Sequence, residues 1–588
     1  MSLIPQRLAA LRAHMRARGL SHYFVPSADE HLNEYLPEWR KRREYLSGFT
    51  GSAGDLLLGQ DDAWLFTDGR YHVQAGLELR GSGIQLSKVG VPGQKSLIQH
   101  VAGLRAPVLG FDPMLLSVGF AAALERALAA AGGRPAPVAP NLVDLVWSDR
   151  PAPPTSVLFE VPLRWSGRSA ADKLADVRAA LSGAGANALL VTKLDQLAWL
   201  LNLRSRDDVP FNPVFEGHGL VTTGAVHVFL HGGERRLPAA IPHVRCHEYG
   251  ELLPFLGQLP AETRILLDPS GSTLGLKTAL ETNANVAVVL APSPVEDAKA
   301  RKNAAEREGM RVANRRASAV KAEALRWLEQ EVAAGRTVTE RAFQDEIERR
   351  YAAAREYWGL SFNTITATGP HGAIMHYKDA DRTPLRRGEL FIIDSGIQAA
   401  GGTTDDTRTV IIGEASAQQR RLYTRVLQCH IAAATLKFPA GTPGTAVDAV
   451  CRGPLWRDGL SYDHGTGHGV GAFLNVHEGP FALSESVRKP YAVHPLAEGM
   501  VTSIEPGYYK PGWGGIRIEN LYLIVQDRTD ESGVTWLRFE SLTFIPFDER
   551  LIDRALLSED ERRWVDDYHA RCRAELAEEA PEPAGARG

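Results

Sequence analysis

Asp394, Asp405, His464, His468, His477, Glu505 and Glu519 are the residues whose types and spacing point to chemistry. GELFIIDSG sets Asp394 at the end of an apolar run, and GGTTDDTRTVII sets Asp405 in the next. A hairpin through the Gly-rich turn between them would bring the two carboxylates together. DHGTGHGVGAFLNVHEGP contributes the three histidines among flexible glycines. MVTSIEPGYY ends an apolar run on Glu505, and GGIRIENLYLIV holds Glu519 inside another. An Asp at a strand end is ordinarily a turn cap. Glu519 resists that explanation, because an unpaired carboxylate is costly to bury in so apolar a strand. Arg517, two residues earlier, lies on the same face. One arginine does not balance four acids, whereas two divalent cations would. The residue pattern alone leaves two readings open, a metal site or a set of independent salt bridges and turn caps.

The elements that must position these groups begin near residue 300. KNAAEREGMRVANRRASAVKAEALRWLEQEV reads as a long helix or a bent pair. RTVTERAFQDEIERR reads as another helix, capped by Thr337 or Thr339 with an acidic residue in its first turns. Ahead of them run two stretches of alternating helices and short apolar strands. HYFVP, GDLLLG and AWLFTD are strands of the first; NALLVT, HVFLHG, TRILLD and VAVVLAP are strands of the second. Their similar size hints at a duplication, although no clean internal repeat is visible. The proline-rich residues 150–154 mark a boundary between them. The expected domains are 1–152, 153–300 and 301–588, the last ending in a charged helix and a short tail, PEPAGARG. MSLIPQRLAALRAHMRARG is Arg-rich enough for an organellar presequence. It reads better as a first helix, with Leu8, Leu11 and Met15 on one face and Pro5 at its start.

Composition excludes several classes. The 588 residues are 44% apolar and 23% charged, which rules out a small binding module or a disordered chain. With 66 Lys+Arg against 70 Asp+Glu, nothing global draws the chain to nucleic acid or an anionic membrane. The four cysteines form no CxxC, so neither a disulfide framework nor a thiolate zinc site is indicated, and a reducing compartment follows. No apolar run is long enough for a membrane span.

REYLSGFTGSAG, TDGRY, LDQLAWLLNLR, NPVF, EGMR, GAIMHY, DSG, GTTDDTRT, HGTGHGVGAFLNVHEGP, EPGYY and GIRIEN together resemble the aminopeptidase P branch of the pita-bread metallopeptidases, in its long three-domain cytosolic form. The resemblance runs from residue 43 to 520. It implies a multidomain α/β fold, with two creatinase-type α/β domains before an α+β pita-bread catalytic domain. It also implies hydrolysis of the first peptide bond in peptides with proline second, by a hydroxide bridging two metals. By motif, Asp394 chelates one metal, His468 and Glu505 ligate the other, and Asp405 and Glu519 bridge both. The family implies Mn²⁺; the donor set also admits Co²⁺, Zn²⁺ or Fe²⁺.

The same resemblance gives Glu505 the nucleophile's proton and its delivery to the leaving nitrogen. His376 lines the pocket near the scissile bond, His464 donates to the scissile carbonyl oxygen, and His477 contacts the proline side. Arg517 orients Glu505 or its neighbours. A homodimer, a cytoplasmic location and peptides as the only partners, with no nucleic acid or membrane, follow as expectations. Two departures stand out: His371 where the family often has Asn, and Asp406, a second acid beside Asp405. Alternation along a strand turns Asp406 away from the cluster, which makes it structural. The competing readings are an Xaa-Pro dipeptidase (prolidase) with the same site and a non-catalytic peptide-binding homologue. Two α/β units before residue 300 favour the aminopeptidase over the dipeptidase, and five intact ligands argue against loss of catalysis.

Overall fold

The computed structural model describes residues 3–238, 244–378, 380–399, 401–487 and 490–578. The expected tail, PEPAGARG, lies outside them. The chain divides into two compact units. The first comprises 1–161 and 168–296, the second 162–167 and 297–588.

The first unit holds two six-stranded sheets. In one, His22–Val25 pairs antiparallel with Asp55–Gly59 and parallel with Val108–Phe111. In the other, Ala188–Val191 pairs antiparallel with Gly217–Thr222 and parallel with Thr263–Leu267. The outer strands follow the same scheme in both sheets, an antiparallel then a parallel neighbour on one side and a parallel one on the other. The repeat hinted at in the sequence is therefore one of topology. Helix Ile4–Ala17 starts at Pro5 and buries Leu8, Leu11 and Met15.

In the second unit, Ala304–Ala333 is one continuous helix. It opens on a capping box in which Asn303 and Glu306 satisfy each other's backbone N–H groups. Thr339, not Thr337, caps helix Glu340–Ala352, its hydroxyl accepting from Ala342 N. These helices bury Ala317, Ala324, Phe343 and Ile347 against Phe391 and Ile393 of strand Leu390–Ser395. That strand is the centre of a three-stranded sheet, between Ile365–Thr368 and Asp406–Ile411. A six-stranded antiparallel sheet includes Gly467–Gly469, Val501–Ile504 and Asn520–Thr529. Helices Ala417–Ala434, Gly444–Arg457 and Glu559–Glu578 supply the core residues on it. The two sheets meet at an antiparallel bridge between Thr407 and Glu519. All the acidic residues of interest sit near that bridge.

Candidate metal centre

Asp394 is the penultimate residue of strand Leu390–Ser395, as its motif predicts. Asp405 lies one residue before strand Asp406–Ile411 rather than inside it. The two strands form the expected hairpin, with Ser395 opposite Asp406. Gly396 makes the turn possible. A Cβ there would fall 1.9 Å from Thr404 O, so only glycine lets the chain pass so close. Gly467 plays the same part for His468, because a Cβ would fall 2.0 Å from Ser503 O. Glu505 follows strand Val501–Ile504 directly. Glu519 sits at the mouth of strand Asn520–Thr529, not within it.

These positions converge. Ligand atoms of Asp394, Asp405 and Glu519 lie within 4.8 Å of one another, and so do those of His468, Glu505 and Glu519. Glu519 is common to both sets, which makes two adjoining nests sharing one carboxylate. His477 joins Asp405 and His468 in a third such group, and its ring stands edge-on 4.3 Å from that of His468.

The chemistry of the donors asks for cations. Burial pushes the Glu519 carboxyl well up, and Asp405, Glu505 and Asp394 push it further against the pull of Arg517. Burial likewise raises Asp394 and Glu505, against Arg517 for the first and His468 for the second. Asp394 Oδ1 is buried without any hydrogen-bond donor among the described residues. His468 Nδ1 lies 3.0 Å from Gly469 O, so it carries the proton and leaves Nε2 as the free donor atom. That Nε2 is 3.5 Å from both Asp405 Oδ2 and Glu505 Oε1. Burial disfavours the charged ring, yet the contact with Asp405 and the charge of Glu505 carry its pKa to about 9. A proton on His468 thus does part of what divalent ions would do. The five residues fit a pair of them, and form a candidate dinuclear metal-binding cluster.

Arg517 does not pair with Glu505. Its Nη2 is 2.6 Å from Asp394 Oδ2, its Nη1 donates to Tyr509 OH at 2.9 Å, and its Nε donates to Thr407 Oγ1 at 3.1 Å. Thr407 Oγ1 in turn donates to Glu519 Oε2 at 2.6 Å. His464 lies between Gly465 and Tyr509. Its Nδ1 is 2.7 Å from Gly465 O and must hold the proton, and its Nε2 is 3.0 Å from Tyr509 OH. Burial, then Arg517, keeps the ring well below the usual histidine range and therefore neutral. With the proton on Nδ1, Nε2 accepts from Tyr509 OH. His376 stands close enough to His464 to act on its charge.

An Xaa-Pro aminopeptidase P of the fungus Laccaria bicolor, named as probable, is 39% identical over 580 residues, 96% of this chain and 89% of its own. The chain belongs to the aminopeptidase P family of M24 metallopeptidases. Residues 308–526 match metallopeptidase family M24, and 535–584 match the C-terminal region of that peptidase. Residues 7–145 and 149–306 each match the creatinase/prolidase N-terminal domain. The fold is therefore two N-terminal creatinase-type domains followed by a pita-bread catalytic domain. The X-prolyl aminopeptidase of Caenorhabditis elegans, described as a cytosolic enzyme with a di-nuclear active site, superposes with a TM-score of 0.92 at 34% identity. It covers 98% of this chain and 96% of its own. The prolidase of Pyrococcus horikoshii, at 23% identity and TM-score 0.51, covers 64% of this chain and shares the fold alone.

Several supports of this aminopeptidase P-family site escaped the sequence reading. Tyr509 links Arg517 to His464. Ser503 Oγ accepts from His468 N at 3.0 Å and lies 3.3 Å from Glu505 Oε1. Lys299 and Lys302, both buried, hold Glu478, the residue after His477, at 2.8 and 2.5 Å. His371, the first departure, accompanies a buried Glu340 with contacts of 2.9 and 3.1 Å, and Tyr377 OH donates to the same carboxylate at 2.9 Å. Asp406, the second departure, is buried and paired with Lys321. Among the described residues no helix is long and apolar enough to cross a membrane.

Proposed function

We propose that this protein removes the first amino acid from peptides whose second residue is proline, and that Asp394, Asp405, His468, Glu505 and Glu519 hold two divalent ions for that reaction. The observation that carries the reading is the pair of nests sharing Glu519, in a chain matching aminopeptidase P relatives over 96% of its length. The donor set is four carboxylates and one imidazole, without thiolate, which favours Mn²⁺ over softer sites. Such ions supply Lewis acidity to the scissile carbonyl and to a water molecule.

The protein's own groups do the rest. Glu505 accepts the attacking water's proton and returns it to the leaving nitrogen, which lacks an N–H while it is bonded to the carbonyl because it belongs to proline. Arg517 holds Asp394 by one oxygen and keeps the other for a cation. His376 lines the pocket near the scissile bond, and His477 meets the proline side. His464, its nitrogens committed to Gly465 and Tyr509, walls the pocket with its ring face. The resemblance also supports domains of 1–152, 153–300 and 301–588, a homodimer, and a cytoplasmic location like that of the C. elegans enzyme.

The test is cleavage of Xaa-Pro against Xaa-Pro-Yaa by the Mn²⁺-supplied protein. Release of Xaa from the tripeptide is expected. Cleavage of the dipeptide alone would instead make the protein a prolidase.

A further inference from the structure

Asp406 is 1% exposed and Lys321, in helix Ala304–Ala333, is fully buried. Lys321 Nζ pairs with Asp406 Oδ1, and also donates to the carbonyls of Asp406 and, at 3.3 Å, Ser395. Ser395 and Asp406 face each other across two antiparallel strands. Each is the chain neighbour of a ligand candidate, Ser395 of Asp394 and Asp406 of Asp405. One ammonium therefore ties together the rung that delivers both aspartates. Tyr351 OH braces the same rung, 3.0 Å from Ser395 Oγ.

The pair also bears on charge. Lys321 is the only ion-pair partner of Asp406 among the described residues. An ammonium buried this close to divalent ions repels them strongly, because protein screens poorly, and a carboxylate there attracts them. Held against each other, the two cancel.

We propose that Lys321 and Asp406 form a charge-balanced pair behind the metal centre: each offsets the other's effect on metal affinity, so that together they add no net charge behind the cations. The inference rests on the dinuclear reading of the site. It differs from a packing role in one respect: removing Asp406 alone leaves a positive charge facing the metals, and removing Lys321 alone leaves a negative one.

The experiment is Mn²⁺ titration by calorimetry into the metal-stripped full chain, for the natural sequence, Asp406→Asn, Lys321→Met and the double variant Lys321→Met/Asp406→Leu. Circular dichroism establishes that each is folded. If the natural chain takes up no Mn²⁺, the dinuclear reading itself has failed. If it does, Asp406→Asn is expected to weaken binding by about 10-fold or more, because Lys321 is left unpaired. Lys321→Met is expected to bind at least as tightly as the natural chain. The double variant returns to within about threefold of it, as coupled neighbours do. Weakening by both single variants alike, or no change in Asp406→Asn, overturns the proposal. Should Lys321→Met not fold, recovery in the double variant relative to Asp406→Asn supports it and continued loss overturns it.

Discussion

Arg517 Nη2 lies 2.6 Å from Asp394 Oδ2, while Oδ1 of the same carboxylate is buried and receives no hydrogen bond from the described residues. The guanidinium thus fixes the carboxylate by one oxygen and leaves the other for a cation. Lysine reaches Asp394 as a single point charge and cannot also serve Tyr509 and Thr407. Arg517→Lys is expected to lower metal affinity or kcat by about 10- to 100-fold, the usual cost of losing a group that orients a ligand. Metal content and steady-state kinetics, measured together, separate the two.

Glu519 belongs to both nests, and its burial among like charges opposes folding until cations arrive. Glu519→Gln therefore relieves the metal-free protein and harms the loaded one. In EDTA the variant is expected to melt above the natural protein. In Mn²⁺ at about 100 times the Kd, where a bound ion adds about 2.7 kcal/mol, the order reverses. Thermal melts under both conditions check this.

Gly396 and Gly467 pass within reach of Thr404 O and Ser503 O. Gly467→Ala would drive a methyl group into the Ser503 carbonyl and shift His468 from its place. Loss of one of the two bound metals with retained helical circular dichroism is expected. Retention of both metals would show that the strand yields more easily than its packing implies.

His430 is fully buried, with Nε2 2.8 Å from Tyr522 OH. Burial, then Arg408, lowers its pKa to about 3. The unfolded chain binds this proton below about 6.5 and the folded chain does not, so its contribution is fully present above that pH and is lost as pH falls toward 3. The loss reaches about 3 kcal/mol by pH 4. His430→Gln should flatten the stability profile between pH 6.5 and 4, as read by urea unfolding at fixed pH.

The convergence of these residues was legible because each sits in a short local motif in or beside a strand. Asp394, Asp405, His468, Glu505 and Glu519 lie close together. Their partners were not legible. Lys321 reaches Asp406 across 85 positions, and nothing local in an alanine-rich helix marks it. Nothing in EPGYY singles out Tyr509, and only its distances to Arg517 and His464 reveal the link. The contacts of His464 were not legible either, since its Nδ1 lies 2.7 Å from Gly465 O and its Nε2 3.0 Å from Tyr509 OH. Asp406 was expected to face away from the cluster, and the charge that pairs with it comes from a distant helix.

The central claim is that two cations held by this cluster cut the Xaa-Pro bond. It is tested most directly by titrating Mn²⁺ into the metal-stripped chain while following Xaa and Pro-Yaa released from a tripeptide with proline second. The account predicts no release without metal, and activity that saturates as the second ion binds. Full cleavage in the metal-free protein, or two bound ions without any cleavage of the tripeptide, would contradict it.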